Sequence, residues 1–264
     1  MNTIIIEDDF IKNCSCQKNI EINETLKNEL FSVNTIEIHF KENGKLCIKG
    51  NQKETKLKII YSVDPNVKAE IIDMRKLSGV KIAEEYHLKE KSELHIIKFY
   101  EGFDLKKQDT IYMEEKGAKI FYVLKSLASG KQRYNTMIYH RNIDTSCEIY
   151  HHGVSREKGC ISFDVTNIIE KGMKNTYVEQ QNRIITSNMK LCKINPNLIV
   201  DEQDVIANHS AHLGDVDNNE LFYLMTRGIN KEDARNLLIR GFLLDKIKEE
   251  DISEIKDFIS FDWR

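Results

Sequence analysis

The sequence predicts a mainly β protein that ends in a small helical domain, and three observations support this. Between about residue 36 and residue 206 apolar residues alternate with polar ones, as in Ile36, Ile38 and Phe40. A period of two is typical of strands with one buried face. The runs begin roughly every 10 to 14 residues, which favours an all-β sandwich, barrel or solenoid over βαβ units. After Asp217 the apolar spacing becomes helical.

These changes divide the chain into an N-terminal segment (1–35), a β core (36–215) and a C-terminal helical domain (216–264). The first segment shows no clear pattern apart from a short helix predicted near Thr25 to Leu30. Strand-like runs then follow through the β core at 36–40, 57–63, 68–74, 80–86, 94–100, 110–113, 118–124, 134–139, 147–150, 160–165, 183–187 and 198–206.

Turn residues bear on how these strands connect. Asn43-Gly44 predicts a tight hairpin between the runs at 36–40 and 46–48. The chain has only 12 glycines and two prolines, fewer than a protein built from primed hairpin turns would use. Hairpin topology is therefore weakly disfavoured, but no repeat period is evident. The pattern alone leaves a sandwich and a solenoid equally open.

Three helices are predicted in the last domain, over 219–227, over 231–246 and after Asp251. Asp217 and Asn230 are suited to cap the first two, and Gly228 to end the first. Asp251 with Glu254 repeats the capping pattern, so the charged run from Lys246 to Asp251 reads as an exposed link. Three short helices bury little surface by themselves, and we expect them to dock on the β core or on a partner.

Composition limits the function classes. With 264 residues, 41% hydrophobic and 31% charged, the chain is an ordered globular protein. A net charge of -3 offers no overall attraction to nucleic acid or an anionic membrane. The N-terminal MNTIIIEDDF lacks the features of a secretory signal, and we expect a cytoplasmic protein. Its six cysteines are then expected to be reduced thiols.

The segment from Asn195 to Leu243 contains a series of ordered elements, namely Asn195-Pro196, Asp204-Val205 with His209, the LFYL-x-x-RGI block from Leu221 to Ile229, Ala234-Arg235 and Gly241-Phe242. With these elements the segment resembles the C-terminal signature of the SufB/SufD family of iron–sulfur cluster assembly proteins. About a dozen positions match in fixed order over roughly 50 residues, which is a specific signal.

The resemblance implies a right-handed parallel β-helix followed by a small helical domain. It also implies a scaffold without catalytic activity, whose helices bind a SufC-like ABC ATPase and whose β-helix pairs with a SufB-like chain or a second copy. Neither nucleic acid nor a membrane is expected as a partner. No cofactor would be bound tightly by the chain alone, while a transient iron–sulfur cluster would form at the subunit interface. The residues that this assigns to ATPase binding are Leu221, Phe222, Tyr223, Arg227, Gly228, Ala234, Arg235, Leu238, Arg240 and Phe242.

His209 is the candidate cluster ligand, because imidazole and thiolate are strong donors to iron. In the SufB branch a Glu follows this His and an upstream strand carries a sulfur-accepting Cys, whereas here Ser210 follows it and the matching segment from Gln180 to Arg183 has no Cys. The chain therefore resembles the SufD branch. Cys192 lies nearby in sequence and is the second candidate metal ligand.

Two alternatives remain. His140, His151 and His152, with Glu148 and Glu157, suggest a cupin-like metal-dependent barrel enzyme. However, the H-x-H element is missing, and adjacent His151 and His152 would face opposite sides of a strand. The other alternative is a β-solenoid interaction module without metal chemistry. For Cys14, Cys16, Cys147 and Cys160 the sequence favours roles as ordinary thiols.

Overall fold

The chain folds into a two-sheet parallel β-solenoid of about seven turns, followed by three helices. The computed structural model describes residues 2–16, 19–26, 33–156 and 158–259. Successive coils add one strand to each sheet, so strands alternate between the sheets along the chain. The solenoid is the alternative that alternation alone could not separate from a sandwich.

The nine strands of the first sheet, sheet A, are β1 (Asn2–Glu7), β2 (Phe10–Ser15), β5 (Gly44–Lys53), β7 (Lys68–Ser78), β9 (Glu93–Phe103), β11 (Lys119–Ala128), β13 (Ser146–Ser155), β15 (Thr176–Thr186) and β17 (Val205–Gly214). The eight strands of sheet B are β3 (Ile20–Thr25), β4 (Asn34–Phe40), β6 (Lys56–Val63), β8 (Lys81–Leu88), β10 (Leu105–Met113), β12 (Lys131–His140), β14 (Cys160–Ile169) and β16 (Lys193–Val200).

Pairing is parallel throughout, apart from two antiparallel pairs at the N-terminal end, β1 with β2 and β3 with β4. The hairpin predicted at Asn43-Gly44 is wrong. β4 pairs with β6 in sheet B, while β5 pairs with β1 and β7 in sheet A. Asn43-Gly44 instead lies where the chain passes from one sheet to the other, so its turn residues serve a corner of the coil.

The corners of the coil stack on one another through a repeated left-handed residue. Asn66, Lys91, Gly117, Asp144 and Asn175 all have positive φ, between 51° and 71°. The amide of each donates to a carbonyl of the following coil, as Asn66 N does to Glu90 O at 2.8 Å and Asn175 N to Asp204 O at 2.7 Å. Only one of these five residues is glycine, the residue type that usually marks a left-handed position. The sequence therefore does not reveal that the corner conformation repeats.

The interior between the sheets is apolar toward the N-terminal coils, where Ile4, Ile36, Phe40 and Ile59 are fully buried. Farther along, charged and hydroxyl groups enter it. The strands of sheet A also carry a second row of buried apolar residues on their outer face, such as Ile72, Ile97 and Phe99. Part of that face is therefore covered.

The helices cover that outer face of sheet A. They are α1 (Asn218–Thr226), α2 (Lys231–Leu244) and α3 (Glu249–Ile259). Ile255 of α3 is fully buried against Ile72 and Phe99, and Asp251 accepts from Lys45 Nζ at 2.7 Å. The last helix therefore reaches back across the sheet to the early coils.

The predicted helices α1 and α2 are confirmed with their caps. Asp217 accepts from the amides of Asn219 and Glu220, and Asn230 from that of Asp233. Gly228, at φ 87°, follows the end of α1. No helix among these described residues is long and apolar enough to cross a membrane.

Two local predictions are wrong. Helix α3 begins at Glu249, so Asp251 lies inside it and the exposed link stops before Glu249. Thr25 ends strand β3 and does not start a helix, while 27–30 lie outside the described residues.

Candidate functional site

The helical end of the molecule carries large apolar side chains that the fold leaves uncovered. Phe222 is 68% exposed, Tyr223 57% and Leu237 51%, and Met225 is also exposed. Phe222 and Met225 are three residues apart in α1 and so share one face of the helix. Exposed aromatic and aliphatic groups on neighbouring helices are typical of a surface that another protein covers.

The other residues assigned to ATPase binding have different surroundings. Leu221, Ala234 and Phe242 are buried with Val154 and Ile185 of sheet A, and Leu238 packs against the same cluster. These four therefore attach the helices to the solenoid.

The three arginines of this set lie toward solvent. Arg235 pairs with Asp215 at 2.7 Å, and Arg227 lies over the ring of Tyr223, 5.2 Å from its centroid. Arg240 is exposed on α2. Guanidinium groups beside exposed aromatic rings are common in protein interfaces.

Helix α2 is fastened to sheet A by buried polar groups at its C-terminal end. Lys125 Nζ donates to the carbonyl of Asp245 at 2.7 Å and lies 2.7 Å from His152 Nδ1. The ring of His152 stacks on Phe242 at 4.7 Å. Burial lowers the pKa of Lys125 to about 7, with Arg183 and Lys246 lowering it further and Asp245 opposing them. Burial likewise lowers the pKa of His152 to about 3.

The last strand of each sheet leaves an open edge at the C-terminal end of the solenoid. These strands are β16 in sheet B and β17 in sheet A. Ile199 and Ile206 are exposed on them. An unpaired strand edge can add a strand from another chain. His209 lies on β17, exposed to solvent and opposite Gln180 of β15.

Cys192 has surroundings unlike those of His209. It directly precedes β16, is only 8% exposed, and its Sγ accepts from the amide of Ile161 at 3.4 Å. His209 lies on the other sheet. Within the described ranges, no group of three or more His, Cys, Asp or Glu residues could hold a metal ion.

A cavity of about 510 Å³ opens where β15 and β17 meet the first two helices. Arg183 and His212 line it on the strand side, and Asp215, Asp217 and Glu220 line it on the helix side. The cavity thus lies between β17, the edge strand that carries His209, and the first two helices.

The most unusual feature of the molecule is an ionic network inside the solenoid, which was not predicted from the sequence. Three carboxylates and three cations, each at most 3% exposed, meet between the sheets: Asp73, Glu84, Asp109, Arg75, Lys98 and Lys107. The charges balance within the group. Four buried tyrosines lie around it, with ring centroids at most 5.9 Å from Lys98 Nζ, namely Tyr61, Tyr86, Tyr100 and Tyr122.

Glu84 is the centre of this network. It accepts from Arg75 Nη2 at 3.0 Å, from Lys107 Nζ at 2.6 Å and from Tyr86 Oη at 2.5 Å, and it also pairs with Lys98. Burial alone would raise its pKa, but Lys107, Lys98 and Arg75 together hold it well below the ordinary 4.5. Neutralising partners are what make buried charges tolerable.

A signal for this network was present in the sequence. In β8, Glu84 occupies the same alternation phase as Ile82, Tyr86 and Leu88. In β10, Lys107 and Asp109 share the phase of Leu105 and Ile111, likewise the buried one. Charged residues in the apolar phase of neighbouring strands predict a buried ionic cluster, because a one-residue shift would expose every apolar partner.

The cupin-like alternative is wrong, since the sheets form a solenoid and not a closed barrel. As predicted, His151 and His152 face opposite sides of β13. His151 lies inside against Tyr122 and Phe163, while His152 lies outside under Phe242. His140 is buried and bonded to Thr145 Oγ1 at 2.8 Å. Glu157 lies outside the described residues.

Comparisons with known proteins give a consistent result. The family profile described as "SUF system FeS cluster assembly, SufBD core domain" matches residues 14–242. The iron–sulfur cluster assembly protein SufD of Bacillus subtilis is 36% identical over 126 residues, which are 47% of this chain and 29% of that protein. SufD of Escherichia coli is 26% identical over 108 residues, 39% of this chain and 26% of that protein.

A SufBD family protein of Pyrococcus horikoshii is 32% identical over 109 residues, 39% of this chain and 20% of that protein. Each match thus covers less than a third of the relative. The family match spans most of the chain and includes the solenoid from β3 onward, α1 and most of α2. The chain therefore belongs to the SufB/SufD family of iron–sulfur cluster assembly proteins, and within it the chain is SufD-like.

Proposed function

We propose that this chain is a scaffold subunit of a Suf-type iron–sulfur cluster assembly complex and has no catalytic activity of its own. It binds a SufC-like ABC ATPase through α1 and α2, and its solenoid pairs with a SufB-like chain or with a second copy. A nascent cluster, the cargo of the complex, is held for a time at that pairing surface. The exposed apolar groups of the helical end are the observation that carries the proposal.

The helical end supports ATPase binding because one set of its apolar side chains is buried against the solenoid and another set is exposed. Leu221, Ala234 and Phe242 attach the helices to sheet A, whereas Phe222 and Leu237 contribute nothing to that core. Large exposed aromatic and aliphatic groups cost solubility unless a partner covers them. Arg227 and Arg240 beside them supply charge for carboxylates on the partner.

The open edges support pairing for a related reason. β16 and β17 expose backbone donors and acceptors together with Ile199 and Ile206, and a partner strand would satisfy both. His209 on this edge is then placed to share a cluster with ligands of the partner.

The ATPase claim is tested with Phe222→Ser combined with Leu237→Ser in the full chain. Both side chains are exposed, so folding should be unchanged, while affinity for the purified ATPase should fall at least about tenfold, as is usual for anchor residues. Isothermal titration measures the affinity. Leu26→Ser with Phe103→Ser, also exposed apolar residues, is the matched control. Equal binding by the two double variants would remove the claim.

The ligand claim is tested with His209→Ala in the reconstituted paired complex. Visible iron–sulfur absorbance should decrease, while size-exclusion chromatography shows that pairing persists. His212→Ala is the control, since His212 is exposed three residues farther along the same strand. Absorbance that is the same in both variants and the wild type would make His209 a bystander.

A further inference from the structure

A column of cations crosses the outer face of sheet B. Near the start of each strand, one exposed position is in register with its neighbours, pairing Lys56 with Lys81, Lys81 with Lys106 and Lys106 with Arg133. The register continues through Ser162 to Lys193 on β16. Five of six successive positions are therefore positively charged, and all five cations are exposed.

The protein does not neutralise this cation column. Among the described residues, no carboxylate forms an ion pair with any of its five members, although Lys58 beside it pairs with Glu85 at 3.0 Å. Neighbouring strands lie about 4.8 Å apart, and like charges directly opposite each other are destabilising. The chain as a whole has a charge of -3, so this local excess is a property of the face alone.

Most of the cation column lines a shallow, open groove. The groove has a volume of about 720 Å³. Four members of the column line it, together with the polar residues Lys58, Gln108, Asn135, Asp164, Thr166 and Asn197. Among the described lining residues the one aromatic, Tyr134, is only 1% exposed, so these residues offer bases no exposed ring to stack on. Side-chain amides suit the backbone and carboxylates of a peptide.

We propose that this groove binds an acidic, extended polypeptide segment of a partner protein. From Lys56 to Lys193 the cation column spans five strand intervals, or roughly 24 Å. An extended chain covers that distance with about seven residues. Carboxylates at alternate positions of such a chain all face the same way and repeat about every 6.8 Å. The cations repeat about every 4.8 Å on long flexible side chains, so three or four carboxylates lie within reach of the column. The proposal is independent of the ATPase and pairing claims.

The test uses the full chain and a fluorescein-labelled peptide of about eight residues in which Glu and Thr alternate. Fluorescence anisotropy measures binding to wild type, to the variant K81Q/K106Q/R133Q and to the control K53Q/K171Q/K231Q. The control removes the same charge from exposed lysines elsewhere. An oligodeoxythymidine of equal charge is titrated in parallel, and urea unfolding is recorded for each variant.

Wild type and control should bind the peptide, with affinity that weakens as salt rises. The column variant should bind at least about tenfold more weakly, a change of about 1.4 kcal/mol, and should unfold at the same or higher urea because repulsion is relieved. Three results would overturn the proposal: no binding by wild type at low salt, equal loss in both variants, or tighter binding of the oligonucleotide than of the peptide. ATPase binding should be unchanged in the column variant, so the two claims fail separately.

Discussion

Replacing Glu84 by Gln tests the most demanding part of the fold. The carboxylate contacts Arg75, Lys98 and Lys107 inside the solenoid. In the variant two carboxylates remain against three cations, and a single carbonyl oxygen must replace two carboxylate oxygens. Water cannot take the place of the lost carboxylate, because Glu84 is only 1% exposed.

The expected loss is about 4 kcal/mol in the free energy of unfolding. Removing one partner of a buried pair costs roughly 3–5 kcal/mol, because the remaining charge is left uncompensated. Hydrogen bonds to a charged group contribute about 1.5–3 kcal/mol each, so the loss of one or two agrees with that range. It is a large fraction of the roughly 5–15 kcal/mol that holds a typical domain folded.

Urea unfolding followed by circular dichroism measures the loss. Glu85→Gln is the matched control, since the neighbouring carboxylate faces outward to Lys58 with both side chains 32% exposed; it should cost at most about 1 kcal/mol. If Glu84→Gln does not fold, Glu84→Gln with Lys98→Met restores charge balance and should recover part of the loss. A Glu84→Gln cost no larger than that of Glu85→Gln would refute the reasoning.

The stabilising contribution of Glu84 should depend on pH in one direction. The folded pKa of Glu84 lies well below 4.5, so its contribution is fully present above that pH and is lost as pH falls toward the folded pKa. The difference in stability between wild type and Glu84→Gln should therefore narrow below about pH 4.5. A difference that widens on acidification would contradict the assigned pKa direction.

Three further changes have expected outcomes. Gly102→Ala should lower the free energy of unfolding in a urea titration by roughly 3 kcal/mol or more, since φ is 150° and a Cβ would lie 1.7 Å from Leu77 O. Gly241→Ala in α2, with open space around it, should instead stabilise the protein by about 0.5–1 kcal/mol. Equal effects of the two changes would refute the steric argument. The stability of Lys125→Met minus that of wild type should be highest below pH 7 and should fall as pH rises toward 10.5, because the folded amine is then already neutral while the unfolded one still loses its proton. A difference that stays constant over that pH range in urea titrations would contradict the lowered pKa of Lys125. Asp217→Ala should cost about 1 kcal/mol through the lost cap, measured by hydrogen exchange of the α1 amides, and unchanged exchange would show that the cap contributes nothing.

The strands and the helical end were predictable because they depend on local patterns. Alternation located most strands of the β core, although the single run predicted at 198–206 is wrong, since it joins the end of β16 to the start of β17 in the other sheet. Asp217, Asn230 and Gly228 set the ends of helices through interactions within four residues. The start of helix α3 was predicted three residues too late, after Asp251 instead of at Glu249. Its position depends on docking on Phe99 and on the bond from Lys45 to Asp251, 206 residues apart in the chain. Tertiary contacts of this kind override the local helix and capping preferences of the sequence.

The candidate site divides in the same way. Sequence resemblance pointed to His209 and to the helices, but only the structure separated the buried Leu221 and Phe242 from the exposed Phe222 and Leu237. A helical stripe does not say which of its residues faces a core and which faces solvent when both groups are apolar.

By itself, then, the sequence determined the two periodicities, the caps and the family signature, all of which depend on residues near one another in the chain. The tertiary structure decided that the strands coil and do not form hairpins. It also decided that charges such as Glu84 meet inside, and that lysines some 25 residues apart form one column on sheet B. The physical reason is register: stacking one coil on the next places distant residues side by side, and the coil length varies from turn to turn.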